Sequence, residues 1–388
     1  MKPTKTSAFP VFLVFLAMGF ADAAGPFVSL AKKQFELSNF AAQLVTFTGF
    51  LMFGILSVPM GVLQDKKGKK TVLLLGLSIM LAGILIPAIM GLTTFPVFLI
   101  TVLLLGAGGT TLQVAGNPIM RDVSAEGKYS RNLSMGQFVK AIGSLSGPLI
   151  PVIAARYYGL GWNVIFPIYS VAVLITLLVC LPLKVNDEHE PGHEPATFGS
   201  SLGMLKNGYV AMMILALFLY VGAEVSVSSG IPLYLQDRFH LDTTKIGLLG
   251  TGLFFLSLTI GRFSGGVILT WMKPKTFFII TCLLSIAGLL AMFTPSATVA
   301  AAGFFVIGLG FANIFPLIFS IVIDHMPSQA NALSGLMVMA IVGGAIVPPI
   351  MGLVSDATGS VQTGFIVPLL AILYISYTAI ANLKRAKA

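Results

Sequence analysis

Residues 97–116, VFLITVLLLGAGGTTLQVAG, run for twenty positions without a charge. A stretch of that length and continuity spans a bilayer as a helix, whereas barrel strands are shorter and alternate in polarity. Within lipid every backbone polar group must be satisfied internally, so an irregular or open-sheet fold is excluded. The rest of the chain agrees: of 388 residues only 10% are charged, against roughly 25% in soluble domains.

Twelve apolar segments follow from the pattern: 8–31, 43–63, 71–91, 95–119, 132–155, 162–183, 208–235, 246–269, 276–294, 297–322, 331–354 and 361–383. The apolar N-terminal stretch is too long for a signal sequence, has no clear cleavage site, and is assigned as an uncleaved first span. The one long polar interruption, 184–207, is acidic and contains Pro, Gly and Ser. It predicts a solvated cytoplasmic linker, and its His189 and His193 are assigned to that linker rather than to a metal site. The expected fold is an all-α membrane protein with an N-terminal six-helix bundle (1–183) and a C-terminal one (208–388).

Charge fixes the expected orientation. With both termini and the even-numbered connections on one side, that side carries sixteen Lys and Arg against five opposite. The bias places both termini in the cytoplasm. The net charge of +9 is thereby assigned to topology and lipid headgroups, and nucleic-acid binding is excluded. Cys180 and Cys282 lie alone in apolar runs and offer neither a disulfide framework nor metal-ligand spacing.

The halves repeat. GVLQDKKGKKT (61–71) aligns without gaps to GVILTWMKPKT (266–276) at an offset of 205, and GAGG (106–109) matches GLGF (308–311) at 202. Two homologous halves related by an axis along the membrane normal place a substrate site near the midplane, which is transporter architecture.

GVLQDKKGKK resembles the signature of the major facilitator superfamily, with Gly61, Asp65, Lys66, Gly68, Lys69 and Lys70 on its pattern. Asp65 and its basic neighbours are candidate gate elements, since a charge satisfied in only one conformation biases the equilibrium between states. AGNPIM (115–120), RNLSMGQFVKAIG (131–143), YVGAE (220–224), IGRFSG (260–265) and GGAIVPPIMGLVSDATG (343–359) are similar to the fucose–proton symporter family of sugar transporters. That resemblance implies import of a hexose or 6-deoxyhexose driven by protons, in a bacterial cytoplasmic membrane, by a monomer without a cofactor.

Four charges remain at bilayer depth: Asp22, Lys140, Glu224 and Arg262. Each is costly there and calls for a partner or a function. Desolvation favours the neutral acid, so Asp22 and its second-half counterpart Glu224 are candidate proton carriers. The resemblance puts Asp22 on the family's first-helix aspartate. It also marks three departures: Glu224 stands where glutamine is usual, Lys140 where asparagine is common, and Gln113 where glutamate is common. Lys140 lies on a stripe with Gly136, Gly143 and Gly147, which points it into the bundle, toward Asp22, Glu224 or an anionic cargo. Arg262 is expected to pair structurally near the inner end of the eighth span, and is grouped with the gate. Gln113, Asn117, Gln137, Tyr220 and Asn313 supply donors and acceptors for sugar hydroxyls, and Phe311, Phe315 and Phe319 an apolar face for the ring. No phosphate-binding GK[ST] loop, nucleophile–base pair or metal spacing is present, so an enzyme or ATP-driven pump is not expected. Two alternatives stay open within transport: symport or exchange of an acidic sugar or other organic anion, and Na⁺ coupling. A non-transporting sensor on the same scaffold is the rival from another class.

Overall fold

The structure is a computed structural model that describes residues 8–22, 27, 31, 34–37, 39–185, 197–240 and 251–384. Its described residues are nearly all helical. Helices α1 (Phe9–Asp22), α2 (Asn39–Lys67), α3 (Lys69–Met90), α4 (Phe95–Asp122), α5 (Tyr129–Tyr158) and α6 (Ile165–Cys180) come from the first half. The second half gives α7 (Gly208–Phe239), α8 (Thr251–Ile268), α9 (Pro274–Ala291), α10 (Ala297–Phe311 and Ile314–His325), α11 (Ala330–Met339 and Gly343–Thr358) and α12 (Ile366–Lys384). Ten of the twelve are long and apolar enough to cross a membrane; α1 and α8 are shorter and border undescribed residues. The helical membrane fold expected from the continuous apolar runs is present.

Several ends differ from the sequence expectation for identifiable reasons. The signature residues Gln64, Asp65, Lys66 and Lys67 are not a loop but the last turn of α2. Neither Pro nor Gly falls among Gln64–Lys67, and two lysines at a helix C-terminus complement its dipole. The turn into α3 falls on Gly68, whose φ of 87° only glycine adopts readily. The tenth span, expected to be continuous, breaks at Ala312–Asn313. Pro316 lies four residues after Ala312, lacks an N–H to donate to its carbonyl, and crowds it. Within 184–207, residues 186–196 lie outside the described residues, His189 and His193 among them. The end of that stretch is not an extended linker but a short helix, Phe198–Gly203, with Ser201 buried.

The helices gather into two compact units. One comprises Met1–Tyr129, Gly136–Gly203 and Met326–Met339; the other comprises Ser130–Met135, Met204–His325 and Ala340–Ala388. The units follow the sequence halves except for these exchanges. The first segment of α11 packs in the first unit, and the opening turn of α5 packs in the second.

Glycines set the close approaches in the first unit. A Cβ on Gly19 of α1 would lie 2.8 Å from Gly143 Cα of α5, and one on Gly106 of α4 2.8 Å from Gly49 O of α2. Small residues let backbones touch where lipid offers no hydrophobic drive to association. The outward faces carry exposed Leu, Ile, Val and Phe, as a lipid-facing surface requires. Cys180 and Cys282 are both free and buried.

Candidate functional site

In the first unit α1 lies against both α4 and α5. A Cβ on Gly116 of α4 would meet the Met18 side chain, and one on Gly109 that of Ala21. Gly136 of α5 abuts Phe15, and Gly143 abuts Leu16. This contact sets Asp22, the last residue of α1, beside the α5 stripe Gln137, Lys140 and Ser144. Asp22 Oδ2 is 3.0 Å from Lys140 Nζ and accepts a hydrogen bond from Ser144 Oγ at 3.3 Å. Of the three partners the sequence left open to Lys140, the structure places it on Asp22. The lysine side chain is 11% exposed and the carboxylate 37%. The acid is therefore the more exposed member, while the base is held among packed helices. Ser144 was not anticipated, although its i+4 relation to Lys140 was there to be read. The neighbouring Gly25 and Pro26 lie outside the described residues.

Beside this pair run buried amides whose polar atoms lack partners among the described residues. On α4, Thr110, Gln113 and Asn117 share one face (i, i+3, i+7). Thr110 Oγ1, Gln113 Nε2 and both side-chain polar atoms of Asn117 are unsatisfied. On α5, Ser134 Oγ and Gln137 Nε2 are in the same condition. Each such group costs about 1–3 kcal/mol if left dry. Faces of this kind suit a hydroxyl-rich guest or bound water, since amides offer donor and acceptor together.

The second unit holds a separate polar group. Glu224 of α7 pairs with Arg262 of α8, Oε1 to Nη2 at 3.5 Å, with side chains 18% and 13% exposed. The structure thus gives Arg262 a specific carboxylate partner that the sequence could not name. The buried Tyr220 hydroxyl, one turn before Glu224, sits near both charges without a formed hydrogen bond. Phe311 packs edge-on against the Tyr220 ring at 5.9 Å, and Phe315 stacks on Phe319 at 5.7 Å. Asn313 sits at the α10 break. It donates from Nδ2 to Gly261 O at 2.7 Å, while its Oδ1 has no partner among the described residues. Half of its hydrogen-bonding capacity is thus committed to holding α10 on α8.

The signature residues lie at one end of the first unit. Asp65, 6% exposed, accepts a hydrogen bond from Asn331 Nδ2 of α11 at 3.1 Å. Gln64 Nε2 donates to Asn331 O at 3.4 Å, and Ser334 Oγ to Val114 O of α4 at 2.6 Å. Gly61 and Gly335 let α2 and α11 touch. Lys69 Nζ pairs with Asp122 Oδ2 at 2.5 Å, tying α3 to the end of α4. Lys66 is exposed and Lys70 half-buried. Neither Asn331 nor Asp122 was singled out in the sequence. Both are polar residues at span ends, where polarity is unremarkable.

An expected result follows for Asp65. Asp65→Asn removes the charge that Asn331 reads, and the balance between conformations should shift by about 1–3 kcal/mol, the usual size of a coupling between states. Labelling of single cysteines from the two membrane sides measures it. Unchanged labelling with normal turnover would reduce Asp65 to an orienting charge.

Comparison with known proteins agrees with this architecture. The family model for the Major Facilitator Superfamily matches residues 11–349. A glucose/galactose transporter of Brucella abortus is 27% identical over 391 residues, covering 96% of this chain and 93% of the relative. The L-fucose-proton symporter of Escherichia coli is 26% identical over 381 residues, covering 89% and 86%. Among solved structures, the Escherichia coli fucose:proton symporter superposes with a TM-score of 0.81 at 21% identity, over 96% of this chain and 97% of that one. A match over 339 of the 388 residues, with helices of the expected number and order, leaves one assignment: the chain belongs to the Major Facilitator Superfamily, a family of multi-pass membrane transporters rather than enzymes.

Proposed function

We propose that the chain imports a monosaccharide, a hexose or 6-deoxyhexose, by proton symport through alternating access. The observation that carries this reading is the Asp22–Lys140–Ser144 cluster, a titratable pair at membrane depth beside unsatisfied amides. The glucose/galactose and fucose–proton transporters among the relatives support the substrate class. In the proposed cycle Asp22 takes up a proton from outside and releases Lys140. Gln113, Asn117 and Gln137 are assigned to sugar hydroxyls, and so are Tyr220, Glu224 and Asn313. After the conformational change both ligands leave on the cytoplasmic side. Glu224 is assigned as a second proton-coupling group. Asp65, Lys66, Lys69, Lys70 and Arg262 are assigned to the gate. The protein acts as a monomer in the bacterial inner membrane with both termini in the cytoplasm.

A second reading follows from Lys140 itself. An ammonium released when Asp22 is protonated is a natural partner for an acidic sugar or other organic anion. Uptake in proteoliposomes, with neutral and acidic sugars under imposed pH or Na⁺ gradients, separates the readings. Accumulation of neutral sugars driven by a pH gradient is expected. Accumulation of acidic sugars only, or dependence on Na⁺, would replace the first reading.

Lys140→Asn tests the pair directly. Losing a neighbouring cation favours the neutral acid. The pH dependence of transport should therefore change, with neutral-sugar affinity retained. Loss of binding at every pH would instead assign Lys140 to an anionic cargo. An unchanged profile and affinity would leave it as packing.

A further inference from the structure

The internal repeat exposes a difference between the two units. An offset of 205 carries Lys69 onto Pro274, and an offset of 202 carries Asp122 onto Asp324. In the first unit those positions form the Lys69–Asp122 ion pair that closes α3 onto α4. In the second unit proline has replaced the lysine, so the corresponding pair cannot form. A cavity of about 610 Å³ stands in its place, at the ends of α7, α9, α10 and α12 and lined by Pro274 and Asp324.

The lining of this cavity is unlike that of a lipid-filled gap. Its floor includes buried polar side chains. Tyr209 donates its hydroxyl hydrogen to Asn382 Oδ1 at 3.0 Å, and Ser130 shares a 2.7 Å hydroxyl–hydroxyl hydrogen bond with Ser320. Its rim carries Lys273, Lys275 and His325, with Asp324 the acid. Neither lysine has a carboxylate within ion-pair distance among the described residues. The His325 ring lies against Tyr209 at 4.8 Å, which holds the imidazole at the mouth. The lysines flank Pro274, the first residue of α9, so the positive end of the helix dipole lies at the opening.

Two unpaired ammonium groups, an imidazole and a positive helix end above a floor of hydroxyl and amide groups match one ligand chemistry. We propose that the cavity binds a phosphate ester that also carries hydroxyls. The phosphate would sit at Lys273 and Lys275, where compact cations and a helix start suit a dianion. The hydroxyls would reach the Tyr209–Asn382 floor. Two sources carry this chemistry, a soluble sugar phosphate and a hydroxylated phospholipid headgroup. The proposal is independent of the transport cycle, because none of these residues belongs to the cargo or proton groups.

Calorimetric titration of the full chain, purified in detergent, tests the site without any transport assay. The probes are glucose 6-phosphate, inorganic phosphate, glucose, and dihexanoyl phosphatidylglycerol below its micelle concentration. Binding of glucose 6-phosphate and phosphate, weakened at least tenfold in Lys273→Gln/Lys275→Gln while any binding of glucose is the same in both proteins, supports the site with a soluble ligand. Binding of the short-chain lipid alone, weakened likewise, supports it with a headgroup ligand. Failure of every phosphate-bearing probe to bind, or binding equal in the double variant, overturns the proposal. Should the double variant not yield folded protein, Lys275→Gln alone serves, with equal binding again decisive against it.

Discussion

Asp22→Asn is expected to abolish gradient-driven accumulation while sugar counterflow stays measurable. The asparagine keeps the shape of the side chain and can still accept from Ser144, which sits 3.3 Å from Asp22 Oδ2. What it cannot do is exchange a proton or neutralise Lys140, 3.0 Å away. Coupling therefore fails while the amides of α4 and α5 still recognise cargo. Counterflow and uphill uptake measured in the same proteoliposomes separate the two. Wild-type accumulation in this variant would remove Asp22 from the coupling mechanism and leave Glu224 as the proton carrier.

The second large effect is structural. Gly19→Val should sharply reduce the yield of monodisperse protein and lower its Tm. A Cβ at Gly19 would sit 2.8 Å from both Gly143 Cα and Ser144 N and closer still to Lys140 O. These are backbone atoms of a packed helix and cannot rotate away. Overpacking of this kind costs typically about 1–3 kcal/mol, and more where nothing yields. Relieving the clash pushes α5 from α1 and carries Lys140 away from Asp22, so any folded fraction should also lose proton coupling. Size-exclusion profiles and thermal unfolding in detergent measure the first effect and accumulation the second. A normal Tm with normal uptake would contradict the close α1–α5 contact.

The spans and the helical class were legible in the sequence because lipid imposes length and continuity on every crossing segment. The direction of Lys140 was legible too, since a glycine stripe marks the face that packs. Its actual partner was not, because three acceptors were open and only the α1–α5 contact selects Asp22. The Glu224–Arg262 pair escaped for the same reason: 38 residues separate them, and nothing local in either helix names the other. The bond from Asn313 Nδ2 to Gly261 O, which ties α10 to α8, was not legible either, since 52 residues separate the two. The helical path of Gln64–Lys67 shows a further bias, in that a charged motif suggests a loop although none of these four residues interrupts a helix.

The placement of Met326–Met339 within the first unit has a consequence for biosynthesis. Asp65 and Gln64 receive their Asn331 contacts from a residue made 266 and 267 positions later. During synthesis the first six helices must wait in the membrane without these contacts until residue 331 has been made. Contacts so distant in sequence form slowly and leave partly assembled states exposed. A nascent chain stalled before residue 326 should therefore be open to proteases and quality control at this end, and separate expression of residues 1–203 should yield a fragment that needs its complement to persist.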